Sequence, residues 1–356
     1  MRTFYPSAVI GLAGLTMASI FPVMANAQTN WRLTTFASDT SAYYNEMTLP
    51  FIERVEQLTG GDLTIEPFAE GIIAPAFEAY AAVRDGLADA GHLTPLYVVN
   101  EHPANDIFAG HPGGMDPVMM LGWFYEGGGQ ELLQELRAKE GMFSLVVTIG
   151  PAEIWHSHVP INTAEDLRGL RFRASGAWAE VLDQYFGAAA TTVPGGEVYT
   201  LLERRGIDVA EWSTPAENAK IGLQNAAPYI ITPGAHSNSW PFEMMVSLEA
   251  WEALPETTRA QVEAAAKLST MESLLNWVSD DIAAMEDFRA GSAEVMRLPD
   301  EVVQAIGDAG RQWAEAKAEE YEGQGDDYMR RVVDSYYAYR DGWDSVTALG
   351  NTEAAE

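Results

Sequence analysis

The sequence predicts an α/β protein of two similar lobes that share one cleft. Three observations carry the prediction. Short apolar strands alternate with helical stretches along most of the chain, one helix–turn–strand unit occurs twice, and a tract of 35 residues holds neither glycine nor proline.

Taken in order, Trp31 to Ala37 reads as a strand and Ser41 to Leu58 as a helix that ends near Gly60-Gly61. Leu63 to Phe68 is a strand, Ala76 to Arg84 a helix closed by Gly86, and Asp89 to Thr94 a strand. Gln130 to Arg137 is helical. Ser144 to Ile149 is a continuous apolar run, which fits a strand buried on both faces in a mixed or parallel sheet. The alternation continues through Leu170 to Ala174, Trp178 to Phe186, Glu197 to Arg204 and Asp208 to Trp212.

The repeated unit is short but specific. Glu78-Ala79-Tyr80 leads through Arg84 to Gly86-Leu87-Ala88-Asp89, and Glu197-Val198-Tyr199 leads through Arg204 to Gly206-Ile207-Asp208, with an offset of one residue. Each reads as helix, glycine stop and strand, so each lobe ends a strand at a common cleft, at His92-Leu93-Thr94 and at Glu211-Trp212-Ser213-Thr214. Ligands of open α/β sheets sit beyond such strand ends. The glycine-free tract, Glu256 to Ala290, repeats apolar residues at Val262, Ala266, Met271, Leu274, Leu275, Val278, Ile282 and Met285, with Thr257 or Thr258 as a cap. As one helix it reaches roughly 50 Å, longer than one lobe; two helices with an unmarked break is the competing reading. A second helical tract, Val302 to Tyr339, breaks around Gly323-Gln324-Gly325, and Asn351 to Glu356 reads as frayed.

A chain of 356 residues exceeds one typical domain, and 47% hydrophobic residues supply ample core. Lys+Arg 21 against Asp+Glu 52 leaves a formal charge of −31. That excludes nucleic acid and anionic membranes as partners, since both require basic patches. The absence of cysteine removes disulfides, thiol nucleophiles, cysteine-ligated zinc and iron–sulfur clusters. Met1-Arg2, the apolar stretch Ala8 to Met24 and Ala25-Asn26-Ala27 form a cleavable leader. Cleavage is expected after Ala27, giving a periplasmic protein whose mature chain does not insert in the membrane.

Catalytic motifs are scarce. There is no Gly-x-Ser-x-Gly elbow, no phosphate loop and no His-Glu-x-x-His, and Gly127-Gly128-Gly129 lacks dinucleotide spacing. His156 and His158 share one strand face, but no third ligand at a diagnostic spacing turns them into a zinc site. The alternative to a binding protein is a secreted cleft enzyme using two carboxylates, which 52 acidic residues leave unspecific.

Several stretches carry a resemblance. They are Asp166-Leu167-Arg168-Gly169-Leu170-Arg171-Phe172-Arg173, Gly195-Gly196-Glu197-Val198-Tyr199, and Leu202 through Gly206-Ile207-Asp208 to Glu211-Trp212. Pro67-Phe68-Ala69-Glu70-Gly71, Gly91-His92, Trp123 to Gly129 and Pro233-Gly234 also fit. With these the chain resembles the periplasmic solute-binding subunits of tripartite ATP-independent (TRAP) transporters, the DctP-type family, and within it the 2-oxoacid-binding branch. The resemblance implies a two-lobed periplasmic-binding-protein fold of type II-like form, with a long helix spanning both lobes. Residues 28–150 would form lobe I and 151–233 lobe II; 234–300 would cross back to lobe I with the long helix, and 301–356 would be C-terminal helices.

The resemblance also implies a function: capture of a small organic acid, a 2-oxo or 2-hydroxy monocarboxylate, for the small and large membrane subunits. Arg173 matches the family's ligand arginine, and a guanidinium presents a planar fork to a carboxylate. Glu211 and the Trp212 backbone carbonyl match the pair that holds a cation, sodium or calcium, bridging protein and ligand. The sequence departs from the branch twice. Ser237 stands where an acid usually enters the cation site, and Glu153 or His156 stands near the usual amide contact. Trp155, Trp178, Trp212 and Trp240 offer walls for a larger aromatic carboxylate or sulfonate, with Tyr97 and Phe36 from the other lobe. Some relatives pair through C-terminal helices, so Tyr328 to Tyr339 is a surface for a homodimer, with a monomer equally open.

Overall fold

The computed structural model describes Met1 and residues 28–347. Residues 2–27, where the leader is expected, and Asn351 to Glu356, where fraying is expected, lie outside the described residues. The strands, in chain order, are β1 (Thr29–Thr35), β2 (Leu63–Phe68), β3 (Ala90–Leu93), β4 (Met142–Gly150), β5 (Trp155–Ser157), β6 (Arg171–Arg173), β7 (Ala189–Thr191), β8 (Val209–Glu211), β9 (Tyr229–Thr232), β10 (Trp240–Ser247) and β11 (Glu294–Arg297). They form two sheets, β2-β1-β3-β10-β4 and β11-β9-β5-β8-β6-β7.

Each sheet is mixed for the same reason. The chain leaves the first sheet after β4 and enters the second at β5, and leaves the second after β9 to re-enter the first at β10. The strand that follows each crossing runs against its neighbours: β10 is antiparallel to β3 and β4, and β5 to β8 and β9. The other pairings are parallel. β11, which follows the long helix, belongs to the second sheet.

The apolar run at Ser144 to Ile149 is buried, yet β4 is an edge strand paired only with β10. The Gly129–Ala138 helix seals its free edge. Gln130 Nε2 donates to Ser144 O (2.8 Å) and its Oε1 accepts from Val146 N (3.2 Å), while Gln134 Oε1 accepts from Ser144 N (2.8 Å). Two amide side chains thus replace a missing strand, which covers an edge otherwise open to pairing.

The repeated unit is present in both sheets, and its offset has a local cause. Gly86 takes the left-handed conformation at the first turn (φ +78°), but Arg205 takes it at the second (φ +55°), one residue before Gly206.

Glu256–Ala290 is one unbroken helix, which removes the two-helix reading. It packs on β4 of the first sheet and reaches β11 and the Pro215–Lys220 helix on the second. Its buried face differs from the expected one. Val262, Ala266 and Leu274 are buried, but Leu268, Met271, Leu275, Val278 and Ile282 are exposed. The face against the protein is built instead from small and polar residues, Ala265, Ser269, Thr270 and Ser273, with Trp277 and Phe288. The C-terminal tract breaks as expected, into Asp300–Gly323 and Tyr328–Thr347. Tyr328, Tyr336 and Tyr337 are buried in the chain's own core; Tyr336 meets Trp123 at 5.1 Å. They are therefore not the free pairing surface expected of them.

Glu243 on β10 is fully buried and faces Arg137, also fully buried, with Nε–Oε2 at 2.9 Å and Nη2–Oε1 at 2.5 Å. Removing one partner leaves a buried charge alone. Arg137→Met is expected to lower unfolding stability by about 3–5 kcal/mol in urea titration; a loss below about 1 kcal/mol, the level of an exposed pair, would contradict this account.

Candidate functional site

The two crossings run side by side. Glu153 N donates to Ser237 O (3.1 Å), and a Cβ on Gly234 would lie 1.6 Å from the Glu153 carbonyl oxygen, so only glycine allows the approach. The crossings bring the Glu153 and His236 side chains together, with Nε2 to Oε2 at 3.0 Å. Both are buried.

The second sheet supplies the charged pair. Arg173 ends β6 and Glu211 ends β8, two parallel neighbours in which Arg173 sits opposite Ala210. That register puts the two side chains at one end of the sheet. Arg173 Nη1 donates to Glu211 Oε2 (2.7 Å) and to Glu211 O (3.0 Å), and Nη2 donates to Val193 O (3.0 Å). Arg173 is 2% exposed, and its Nε–H has no partner among the described residues. Trp212 covers the guanidinium, its ring 5.2 Å from Cζ. The six-membered ring of that indole meets the start of the Gly195–Glu203 helix so closely that a Cβ on Gly195 would overlap it at 1.9 Å.

Arg173, Glu211, Trp212, Glu153 and His236 line one cavity between the sheets, with about 50 Å³ of free space. Phe36, Tyr43 and Tyr97 wall it from the first lobe, Trp178 from the second, and Trp240 and Phe242 from β10. Tyr43 is central: its ring lies 5.4 Å from Phe36 and from Phe242 and 5.7 Å from Trp240, and its hydroxyl donates across to Ser213 Oγ (2.6 Å). Nearby, Lys220 of the second lobe pairs with Glu46 of the first (2.5 Å). Several donors in the wall have no partner: Trp178, Trp212 and Trp240 Nε1–H and the Ser175 hydroxyl.

Burial sets the protonation of the cavity. It pushes the Glu153 carboxyl up to about 8, with Arg173 pulling the other way. It raises Glu211 as well, against the opposing pull of Arg173. It draws His236 down to about 4 and lifts Tyr97 to about 12. Asp106, which lines the cavity and accepts from Ala177 N (2.6 Å), is lifted by burial to about 8.

Of the residues singled out in the sequence, Arg173, Trp212, Glu153, Ser237, Tyr97 and Glu211 line the cavity. Ser237 Oγ lies 3.4 Å from Ser239 O. His156 does not line it. Side chains alternate along β5, and His156 falls on the face that packs against Phe288, at 6.1 Å. His236, one residue before the serine, takes the place envisaged for it. Trp155 stands behind His236 and donates to its Nδ1 (2.7 Å). Tyr43 carried no sequence signal, because its partner Ser213 lies 170 positions away.

Glu153, Glu211 and His236 each bring one possible ligand atom within 4.8 Å of the others. The two carboxylates fit a hard cation. The His236 nitrogen facing them does not, because the indole donor at Nδ1 leaves the ring proton on Nε2.

The sequence pattern of DctP, bacterial extracellular solute-binding protein family 7, matches residues 33–320. A monocarboxylate 2-oxoacid-binding periplasmic protein of Nostoc sp. is 27% identical over 303 residues, covering 84% of this chain and 82% of that one. A TRAP transporter solute-binding protein of Bordetella bronchiseptica, a mixed-occupancy dimer with copurified calcium and picolinate in one active site, superposes with TM-score 0.84 at 28% identity over 92% of this chain and 97% of that one. One from Pseudoalteromonas atlantica with bound sodium and pyruvate gives 0.83 at 25% identity, over 92% and 100%.

A carboxyl whose folded pKa is raised is most stabilising below its unfolded pKa, and that contribution is lost as pH rises through the folded value. Stability is therefore expected to fall from the ordinary carboxyl range, about pH 4, and to level off at about pH 8, where Glu153 and Asp106 ionise in the folded protein. Glu153→Gln should make that fall shallower by up to about 1.4 kcal/mol per pH unit, followed by urea unfolding in chelator-treated buffer. Parallel curves for the two proteins would show that Glu153 is not held neutral.

Proposed function

Because the chain belongs to the DctP-type family, the solute-binding subunits of TRAP transporters, we propose that it captures a small organic acid through an Arg173–carboxylate pair and delivers it to the membrane subunits. The observation that carries this reading is the buried Arg173. Its Nη1 hydrogens and one Nη2 hydrogen are held by the chain, while Nε–H remains uncommitted at a cavity walled by aromatic rings. A hydrogen bond to a charged group contributes about 1.5–3 kcal/mol, and exclusion of water strengthens it.

In this reading the mature chain works in the periplasm, after cleavage behind Ala27. The lobes close over the ligand by bending at the two crossings, and the Tyr43–Ser213 and Lys220–Glu46 contacts belong to the closed form. The membrane subunits recognise that form, and no covalent step is needed. The ligand is a 2-oxo or 2-hydroxy monocarboxylate, as in the relatives with 2-oxoacids and pyruvate. Should a sodium or calcium ion accompany it, as in the neighbours, the Glu153 and Glu211 carboxylates and the Trp212 carbonyl would hold it and neutralise charge between protein and ligand. A second reading, an aromatic carboxylate, is favoured by the ring-lined wall and by the picolinate of the Bordetella protein.

Thermal-shift assays against pyruvate, 2-oxobutyrate, lactate and picolinate test the substrate class. A ligand at roughly 100 times its dissociation constant adds about 2.7 kcal/mol of stability; the ranking separates the two readings, and no shift with any acid would refute both. For Arg173, substitution by alanine would also strand Glu211 as a lone buried charge, costing about 3–5 kcal/mol. Arg173→Lys keeps the charge and loses the fork. Calorimetry should show affinity falling by about 10-fold or more; unchanged affinity would remove Arg173 from the site.

A further inference from the structure

This inference rests on the acid-binding reading and concerns the ligand atom next to the carboxylate. An indole nitrogen donates and never accepts. Trp155 Nε1 lies 2.7 Å from His236 Nδ1, so Nδ1 accepts and the neutral ring carries its proton on Nε2. Trp155 has no freedom to release it. Its side chain is fully buried, stacks on Trp178 at 5.6 Å and 18°, and meets Phe172 edge-on at 5.4 Å. The His236 ring packs against both indoles, at 5.7 and 5.9 Å, and is 3% exposed. Tautomer and orientation are thus set together.

Two consequences follow from that lock. His236 offers no lone pair at Nε2, so the Glu153–Glu211–His236 cluster is not a centre for an imidazole-seeking metal such as zinc or nickel. What it offers is a fixed N–H donor, facing Glu153 Oε2 at 3.0 Å, in the cavity that also holds the Arg173 guanidinium. The His236 nitrogen lies within 4.8 Å of a Glu211 carboxylate oxygen, and Arg173 Nη1 is 2.7 Å from Glu211 Oε2. The Glu211 carboxylate thus has the Arg173 guanidinium and the His236 N–H as neighbours in one cavity, within the span of a small 2-substituted acid.

We propose that His236 is the specificity-determining residue at the ligand's 2-position. It donates Nε2–H to a hydrogen-bond acceptor there, a 2-oxo oxygen or a ring nitrogen adjacent to the carboxylate, which replaces Glu153 Oε2 as its partner. Trp155 is the positioning residue that acts through it. Acids with no acceptor at that carbon leave the donor unpaired, and 2-ammonium acids set donor against donor, so both are rejected.

The test titrates the mature chain with pyruvate, propionate and alanine by calorimetry, with and without chelator, and reads the His236 tautomer by ¹⁵N NMR of histidine-labelled protein. Wild type should prefer pyruvate over propionate by about 10-fold or more, with the Nε2–H signature. His236→Ala should bring the two acids within about 3-fold of each other. His236→Gln, which keeps an N–H donor, should restore part of the preference. Trp155→Phe should shift the ring signals toward the other tautomer and lower the preference. An unchanged ratio in His236→Ala, equal binding of the two acids by wild type, or an Nδ1–H signature would overturn the role of His236 while leaving acid binding intact. Failure of wild type to bind any acid would overturn the acid-binding reading itself. Should His236→Ala fail to fold, the wild-type ratio and the NMR signature decide.

Discussion

A guanidinium sealed from water must be balanced, and the site is organised around that requirement. An isolated buried charge costs several kcal/mol. Arg173 meets the cost with one carboxylate and two carbonyl oxygens, all supplied by the strand end and turn beside it. The parallel register of β6 and β8 makes this pairing unavoidable, because Arg173 and Glu211 end neighbouring strands. Trp212 then closes the guanidinium face, and Gly195 lets the next helix approach the indole. The fork is left rigid and incompletely satisfied, which is the condition for holding an anion without reorganisation. The pair itself is neutral, so a ligand carboxylate adds one uncompensated charge. A proton kept on Glu153 limits that excess, and a cation between Glu153 and Glu211 would cancel it. Both devices act on the same pair of carboxylates.

In the proposed function, closure and recognition share the same short segments. The chain crosses between the sheets twice near the cavity, and each crossing carries a polar side chain that faces it, Glu153 on one and His236 on the other. Bending at the crossings therefore moves the recognition groups along with the lobes. Tyr43 reports the same coupling from the opposite side. It belongs to the first lobe by sequence, yet its hydroxyl bonds to Ser213 just beyond β8, and its ring sits among the aromatic walls.

Much of this was legible where the signal is local. Leu63–Phe68 and Glu256–Ala290 have the expected bounds because turn residues and an uninterrupted helical composition mark their ends. Arg173 and Glu211 were singled out by the resemblance, through stretches that are contiguous in sequence, and both line the cavity. Signals that depend on distant partners were not. β10 contains Pro241 and Glu243, which read against a buried strand until Arg137, 106 positions earlier, supplies the counter-charge. The sequence pointed to His156 and not to His236, since that choice depends on which face of β5 looks inward and on an indole 81 positions from His236. The exposed apolar residues of the long helix show the same limit. A 3.6-residue period reveals that a helix has an apolar face but not which face the protein covers.

The remaining question is how a molecule of charge −31 captures an anion. Surface charges act over roughly 8 Å at physiological salt, so the acidic exterior has little reach into a closed cavity. Inside, the balance is local. Two unit charges 4 Å apart interact by about 1 kcal/mol in water and about 4 kcal/mol at an effective dielectric of 20, so the groups that touch a ligand inside the cavity matter more to it than screened carboxylates outside. The unpartnered indole N–H groups of Trp178, Trp212 and Trp240 and the Ser175 hydroxyl add to this. They are dipoles that favour an anion without carrying charge, and so they need no counter-ion when the cavity is open to water. In the proposed reading, selectivity among acids falls to neutral donors such as these and to His236. The arginine attracts any carboxylate alike, whereas an N–H in a fixed position distinguishes one acid from the next.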